Sequence, residues 1–351
     1  MTMKNIWAGI VCSILFLSAA TAQQSAGSLV VAKGKMPNIA KDKSNNLHIV
    51  YGTGDSIMYV SSKNGKDFSL PTLVAVLPNL FASAMRGPQI ATSENGVTIM
   101  ACTSNGNIFS YNKTSTGKWT KAVKVNDVNE VAKEALIALG GDGKFTYAVW
   151  LNVKPVKGQD IVGARSDDGG KTWRKNNLVY ESPDGTVCEC CKPSVVVKNN
   201  QVYVMFRNFI KGNRDLYMIK STDGGGTFVD AQKMGEGSWK LNGCPMDGGG
   251  IAVDKNDRVE TVWRREGKIF ASTPGSREKE IGEGKGCSVE TINGKNAYAW
   301  GSNGDVFVLN TSGIKKNVGK GALPLLKAVD PQHVICIWED ANEIYSTIVD
   351  L

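Results

Sequence analysis

The chain has 351 residues, 41 Lys and Arg against 33 Asp and Glu, a net charge of +8, eight cysteines and only two histidines. The opposite charges are interspersed with no basic run, which argues against a nucleic-acid footprint, and His48 and His333 are too few for a His-built zinc or Cu(II) centre. A chain of this length would ordinarily make two domains unless it is a repeat array.

Residues 1–22 read as a secretory signal peptide. Lys4 supplies the positive start, Ile6 to Leu17 a short apolar run, and Ala20-Thr21-Ala22 a small-x-small cleavage site. Cys12 lies inside the apolar run after Ile10-Val11, which does not fit a lipoprotein signal. The expectation is a soluble mature protein from about Gln23, periplasmic or secreted, with no membrane span and with residues 23–351 as one domain.

From there a short strand recurs behind a polar residue seven times. It begins at Asp55, Asn107, Asp160, Asp215, Lys268, Asp305 and Glu343. Before each lies a β-rich run, usually closed by an aromatic, such as Phe145 to Trp150 or Val259 to Trp263. Further upstream comes an apolar strand often opened by proline, as at Pro37, Pro88, Pro193 and Pro324, where a missing N–H need not break a ladder. Recurrence every roughly 36–58 residues predicts an all-β propeller of seven four-stranded blades, with six as the alternative. The chain stops after the third strand of unit seven, so Ser28-Leu-Val-Val-Ala32 is expected to supply its fourth strand and close the ring.

Ser166-Asp-Asp-Gly-Gly-Lys-Thr-Trp173 and Ser221-Thr-Asp-Gly-Gly-Gly-Thr-Phe228 follow the pattern S-x-D-x-G-x-T-[WF]. Ser61 to Phe68 is a degenerate copy and Lys113 to Trp119 a shortened relic. Asp and Gly suit a tight turn, and the terminal aromatic can pack into the blade. These stretches resemble the Asp-boxes (BNR repeats) of sialidases and related propellers over essentially the whole mature chain. The resemblance implies the fold. It implies little about activity, because Asp-boxes sit on turns away from the active site.

The blade register gathers unusual residues on the opposite, channel face. Cys188-Glu-Cys-Cys-Lys192 leads into the inner strand of unit four, and Cys244-Pro-Met-Asp247 precedes that of unit five. Cys188, Cys190, Cys191, Cys244 and Met246 thus present five sulfurs to one corner, with Cys102, Met36 and Met85 able to approach from other blades. Thiolate and thioether ligands suit a soft metal, Cu(I) above all. Disulfides are the competing reading in an oxidising compartment, with Cys191–Cys244 or Cys188–Cys244 able to staple two blades. Cys287 and Cys336 fall in strands and read as core thiols.

Arginines gather on the same face. The resemblance implies a three-arginine carboxylate clamp whose first member opens an inner strand. Arg86-Gly-Pro88 resembles that motif, and Arg207 and Arg264 stand at matching positions in units four and five. Arg214, Asp215 and Asp247 complete the candidate ligand-binding set. The family's tyrosine nucleophile and its acid/base aspartate after the first arginine find no clear counterpart. The leading expectation is therefore a non-hydrolytic exported propeller that binds a metal or a carboxylate-bearing ligand. A sialidase-like glycoside hydrolase and a protein-binding scaffold are the alternatives. Trp239, in a glycine-rich loop, could stack on a sugar or wall the site.

Overall fold

The computed structural model describes residues 27–351, so the signal-peptide reading and Cys12 lie outside the described residues. Seven four-stranded antiparallel sheets follow one another along the chain and no helix is present among the described residues. Six sheets are built from consecutive strands, spanning residues 35–76, 89–124, 137–180, 194–233, 249–283 and 285–320. The seventh takes three strands from residues 322–350 and its outermost from Leu29–Lys33, which pairs antiparallel with Glu343–Asp350. Seven blades and the N-terminal closing strand are as expected, and the six-blade alternative falls.

Burial explains why an aromatic recurs near the end of the second strand in blades three to seven. Trp150, Phe206, Trp263, Trp300 and Trp338 are all buried there. In blades four to seven each faces an aromatic on the third strand. Phe206–Tyr217, Trp263–Phe270, Trp300–Phe307 and Trp338–Tyr345 have ring centroids 5.9–6.4 Å apart. Such cross-strand pairs bury large apolar area and add roughly 0.5–1.5 kcal/mol each beyond it.

The two complete Asp-boxes fasten blades three and four each to the preceding blade. In blade three, Asp168 accepts hydrogen bonds from Ser166, the Thr172 hydroxyl and the backbone N–H groups of Lys171 and Thr172. The turn so fixed offers Gly169 O to Thr98 and Asn112 of blade two, and Gly170 O to Ser110, while Trp173 Nε1 donates to Ser110 Oγ. The Ser221 box repeats this against blade three, where Tyr147 donates to Gly225 O. Gly225 has φ +90°, and a Cβ there would lie 2.1 Å from the Tyr147 ring, so only glycine fits. The degenerate box opens on Ser62, one residue later than the sequence pattern suggested. Ser62 Oγ accepts from Gly65 N–H, and Asn64 stands in the aspartate's place.

The seven inner strands line a central channel of about 400 Å³. Box turns lie at the end where second strands begin, and the cysteine loops at the end where second strands finish, so the two features occupy opposite faces.

Candidate functional site

The site grows from how the loop into blade four is tied down. Cys188 N–H donates to Arg207 O at the end of the second strand, and Cys191 N–H turns back to Cys188 O. Gly248 makes room for the neighbouring loop, since a Cβ there would sit 2.6 Å from Lys192 O. This close approach sets Cys244 beside the cluster.

Cys188, Cys190 and Cys191 place their sulfurs within 4.8 Å of one another, and all three are buried. Cys188 Sγ lies 3.5 Å from Cys191 Sγ and 3.9 Å from Cys190 Sγ. Cys190 is disulfide-bonded to Cys244, with Cα atoms 6.2 Å apart, inside the usual span for a bridge. The pairings anticipated from sequence, Cys191–Cys244 and Cys188–Cys244, are therefore corrected. Cys188 and Cys191 face each other, leaving Cys190 to reach across. The expected five-sulfur set is thus divided into two free thiols and one disulfide, with Cys244 itself exposed. Met246, also exposed, lines a separate cleft of about 690 Å³ with Met85 and Arg264. Cys102 is remote, donating to the Thr103 and Ala132 carbonyls. Cys336 is a core thiol, as read from the sequence, whereas Cys287 is half-buried and lines the channel.

The two free thiols are electrostatically unlike. The contact with Cys191 lowers the Cys188 thiol to about 6, assisted by the charges of Arg214 and Arg207 against the effect of burial. Arg214 Nη1 donates to Cys188 Sγ at 3.1 Å. Burial, then the hydrogen bond and charge of Cys188, push Cys191 far up. The two shifts run in opposite directions, so negative charge on the pair is favoured on Cys188, beside Arg214.

Each of the three arginines is engaged by groups of the protein itself. Arg86 is tied to Glu134 at 2.8 Å, to the Glu134 and Ala84 carbonyls, and lies over Phe81. Arg207 is fully buried and donates to Arg214 O and Arg264 O. Arg264 donates to Pro245 O and approaches Asp247 at 3.9 Å. Trp239 lies buried beneath both Arg207 and Arg264, at 5.5 and 5.3 Å, and so serves as a wall. Asp215 accepts from Trp239 N–H and pairs with Lys233, holding that loop in place.

Asp247 is the anomaly. It is buried, Oδ1 accepts from Gly286 N–H, and Oδ2 has no hydrogen-bond partner. Burial pushes its carboxyl up, opposed by Arg207 and Arg264. It borders a cavity of about 110 Å³ with Met36, Met85, Cys287 and Lys192. Burial lowers the Lys192 ammonium to about 8, and Lys192 donates to Gln89 Oε1. Lys192 stands just before Pro193, at the mouth of an inner strand, which puts it on the channel face but does not by itself mark a role.

No family model matches the chain, and no curated protein matches it. Among solved structures, a protein of unknown function from Dyadobacter fermentans aligns over 93% of this chain and 98% of its own, at 13% identity and TM-score 0.50. An α-L-arabinanase of Penicillium chrysogenum, complexed with arabinobiose, aligns over 92% and 98% at 9% identity and TM-score 0.52. A mutant NanB sialidase of Streptococcus pneumoniae aligns over 92% of this chain and 70% of its own, at 14% identity and TM-score 0.48. At such identities the first two likenesses show the propeller fold alone.

Proposed function

We propose that this chain is an exported, non-hydrolytic propeller that holds a soft metal ion, Cu(I) first, at the cysteine corner of its channel face. The observation that carries this reading is the convergence of three buried sulfurs within 4.8 Å. Cys188 and Cys191 are the ligands free in the disulfide-closed form, and reduction of Cys190–Cys244 would add two more. Sulfur donors without histidine disfavour Cu(II), and two free thiols fall short of the four ligands of a structural Zn(II) site, which leaves Cu(I) as the first candidate. The commitment of Arg86 to Glu134 supports the non-hydrolytic half of the proposal, because a substrate clamp needs that guanidinium free.

The test is an anaerobic titration of reduced, metal-free protein with Cu(I) against a chromophoric chelator. Stoichiometric competition is expected from wild type and its loss from the Cys188→Ala, Cys191→Ala double variant. No competition by folded wild type would end the metal reading. Turnover of sialosides or arabinosides, abolished by Arg86→Ala, would move the assignment to a glycoside hydrolase.

A further inference from the structure

Metal binding leaves one relation in the corner unused: a closed disulfide and a pair of free thiols lie against each other. Thiol–disulfide exchange needs an attacking sulfur next to the sulfur attacked, and Cys188 Sγ is 3.9 Å from Cys190 Sγ. A resolving sulfur is also at hand, since Cys191 Sγ is 3.5 Å from Cys188 Sγ. Cys188-Glu-Cys-Cys191 is itself a Cys-x-x-Cys stretch, turned so that its first and last sulfurs meet. Arg214 fixes the first of these sulfurs by its hydrogen bond. The two pairs differ in access: Cys188 and Cys191 are buried, while Cys244 is exposed.

We propose that Cys188, Cys190, Cys191 and Cys244 form a disulfide relay, which moves a disulfide between the pair Cys190–Cys244, exposed at Cys244, and the buried pair Cys188–Cys191. The Cys188 thiolate attacks Cys190 Sγ. The Cys188–Cys190 bond forms, the Cys190–Cys244 bond breaks, and Cys244 leaves as a thiolate that is protonated at the surface. Cys191 then attacks Cys188 Sγ as its proton passes to the departing Cys190 sulfur, which lies within 4.8 Å; the Cys188–Cys191 bond forms and the Cys188–Cys190 bond breaks. Two thiols have become a disulfide and one disulfide has become two thiols, so no electron has left the chain.

Exposed Cys244 then meets the outside. Its thiolate attacks a partner disulfide, on a small molecule or a protein, giving a mixed disulfide and one partner thiol. Cys190 attacks Cys244 Sγ, restores the Cys190–Cys244 bond and releases the second partner thiol. The partner's disulfide is reduced by two electrons, and the buried pair has supplied them. Run in reverse, a partner dithiol reduces the buried disulfide.

The proposal stands apart from metal binding, because a strong chelator can be present throughout its test. Metal-free, full-length protein is equilibrated in glutathione buffers of graded redox ratio, quenched in acid, alkylated and mapped by mass spectrometry. In wild type, chains are expected in which Cys244 is alkylated while the peptide carrying Cys188, Cys190 and Cys191 keeps an internal disulfide. Cys191→Ser should remove the Cys188–Cys191 linkage and trap Cys188–Cys190, and Cys244→Ser should shift nearly all linkage to the buried pair. The relay is overturned if Cys188 and Cys191 are fully alkylated in wild type at every ratio that leaves Cys190–Cys244 closed. That result needs no variant to fold, and it leaves the Cu(I) titration unaffected.

Discussion

The two ends of the propeller treat their carboxylates differently. At the box end, Asp168 and Asp223 each accept from a serine, a threonine hydroxyl and two backbone N–H groups, and no atom of either box is orphaned. At the cysteine corner, Arg207 Nε, Arg264 Nε and Asp247 Oδ2 are buried without partners. Within ion-pair reach Asp247 Oδ2 has only the Arg264 guanidinium, 3.9 Å away, to balance it, so its burial is less well offset than that of the box carboxylates. The lesson is that repeated sequence here builds turns whose own carboxylates are saturated, although Asn112 Oδ1 and Thr146 Oγ1 beside them are not. The unrepeated loops keep open capacity.

The largest effect that could break this contrast is steric. Gly225→Ala forces a side chain into the left-handed region and against the Tyr147 ring, across the joint between blades three and four. A loss of about 3 kcal/mol or more is expected in urea unfolding, with the Cys188 and Cys191 pattern unchanged in the folded fraction. A loss below about 1 kcal/mol would mean the box is not a joint at all.

Next comes the box carboxylate. Asp168→Ala removes four hydrogen bonds from a partly exposed turn and should cost about 1–3 kcal/mol near neutral pH. Its pH dependence follows from sign. Partial burial pushes the Asp168 carboxyl up, but hydrogen bonds from Thr172, Ser166 and Lys171 outweigh it and hold the carboxyl below its usual value. The Ser221 hydroxyl, followed by Thr227, does the same for Asp223. A lowered carboxyl contributes stability above its unfolded pKa and loses it as pH falls through the folded value. The gap between wild type and Asp168→Ala should therefore close below about pH 4, as thermal melts across an acid series would reveal.

The box end was legible in sequence because its rules are local: a serine, an aspartate and glycines at fixed spacing dictate the turn whatever lies around it. The closing strand Leu29–Lys33 was legible for a related reason, an unpaired edge in the last unit that needed a partner. The corner was legible only as a collection of residues. That Cys190 rather than Cys191 bonds Cys244 depends on which way one short loop turns. That Arg86 belongs to Glu134 depends on an inter-blade contact 48 residues apart. The role of Trp239 rested likewise on two guanidiniums arriving from different strands, which spacing does not encode.

The smallest expected effect is the sharpest probe of the comparison, because its sign should reverse. Asp247→Asn keeps the shape and the Gly286 contact at the carbonyl oxygen while removing a buried charge that lacks a partner on Oδ2. The loss of attraction to Arg207 and Arg264 opposes the relief of desolvation, so the net change should lie within about 1 kcal/mol. Burial raises this carboxyl in the folded state, hence its contribution is fully present below the unfolded pKa and is lost as pH rises through the folded one. Asp247→Asn should accordingly gain on wild type as pH is raised from about 4 toward neutrality, the reverse of the benefit that the Asp168 carboxylate confers over the same range. Paired melts of the two variants would measure it. A loss at Asp247 that grows with pH and matches the one at Asp168 would show the corner to be another saturated joint.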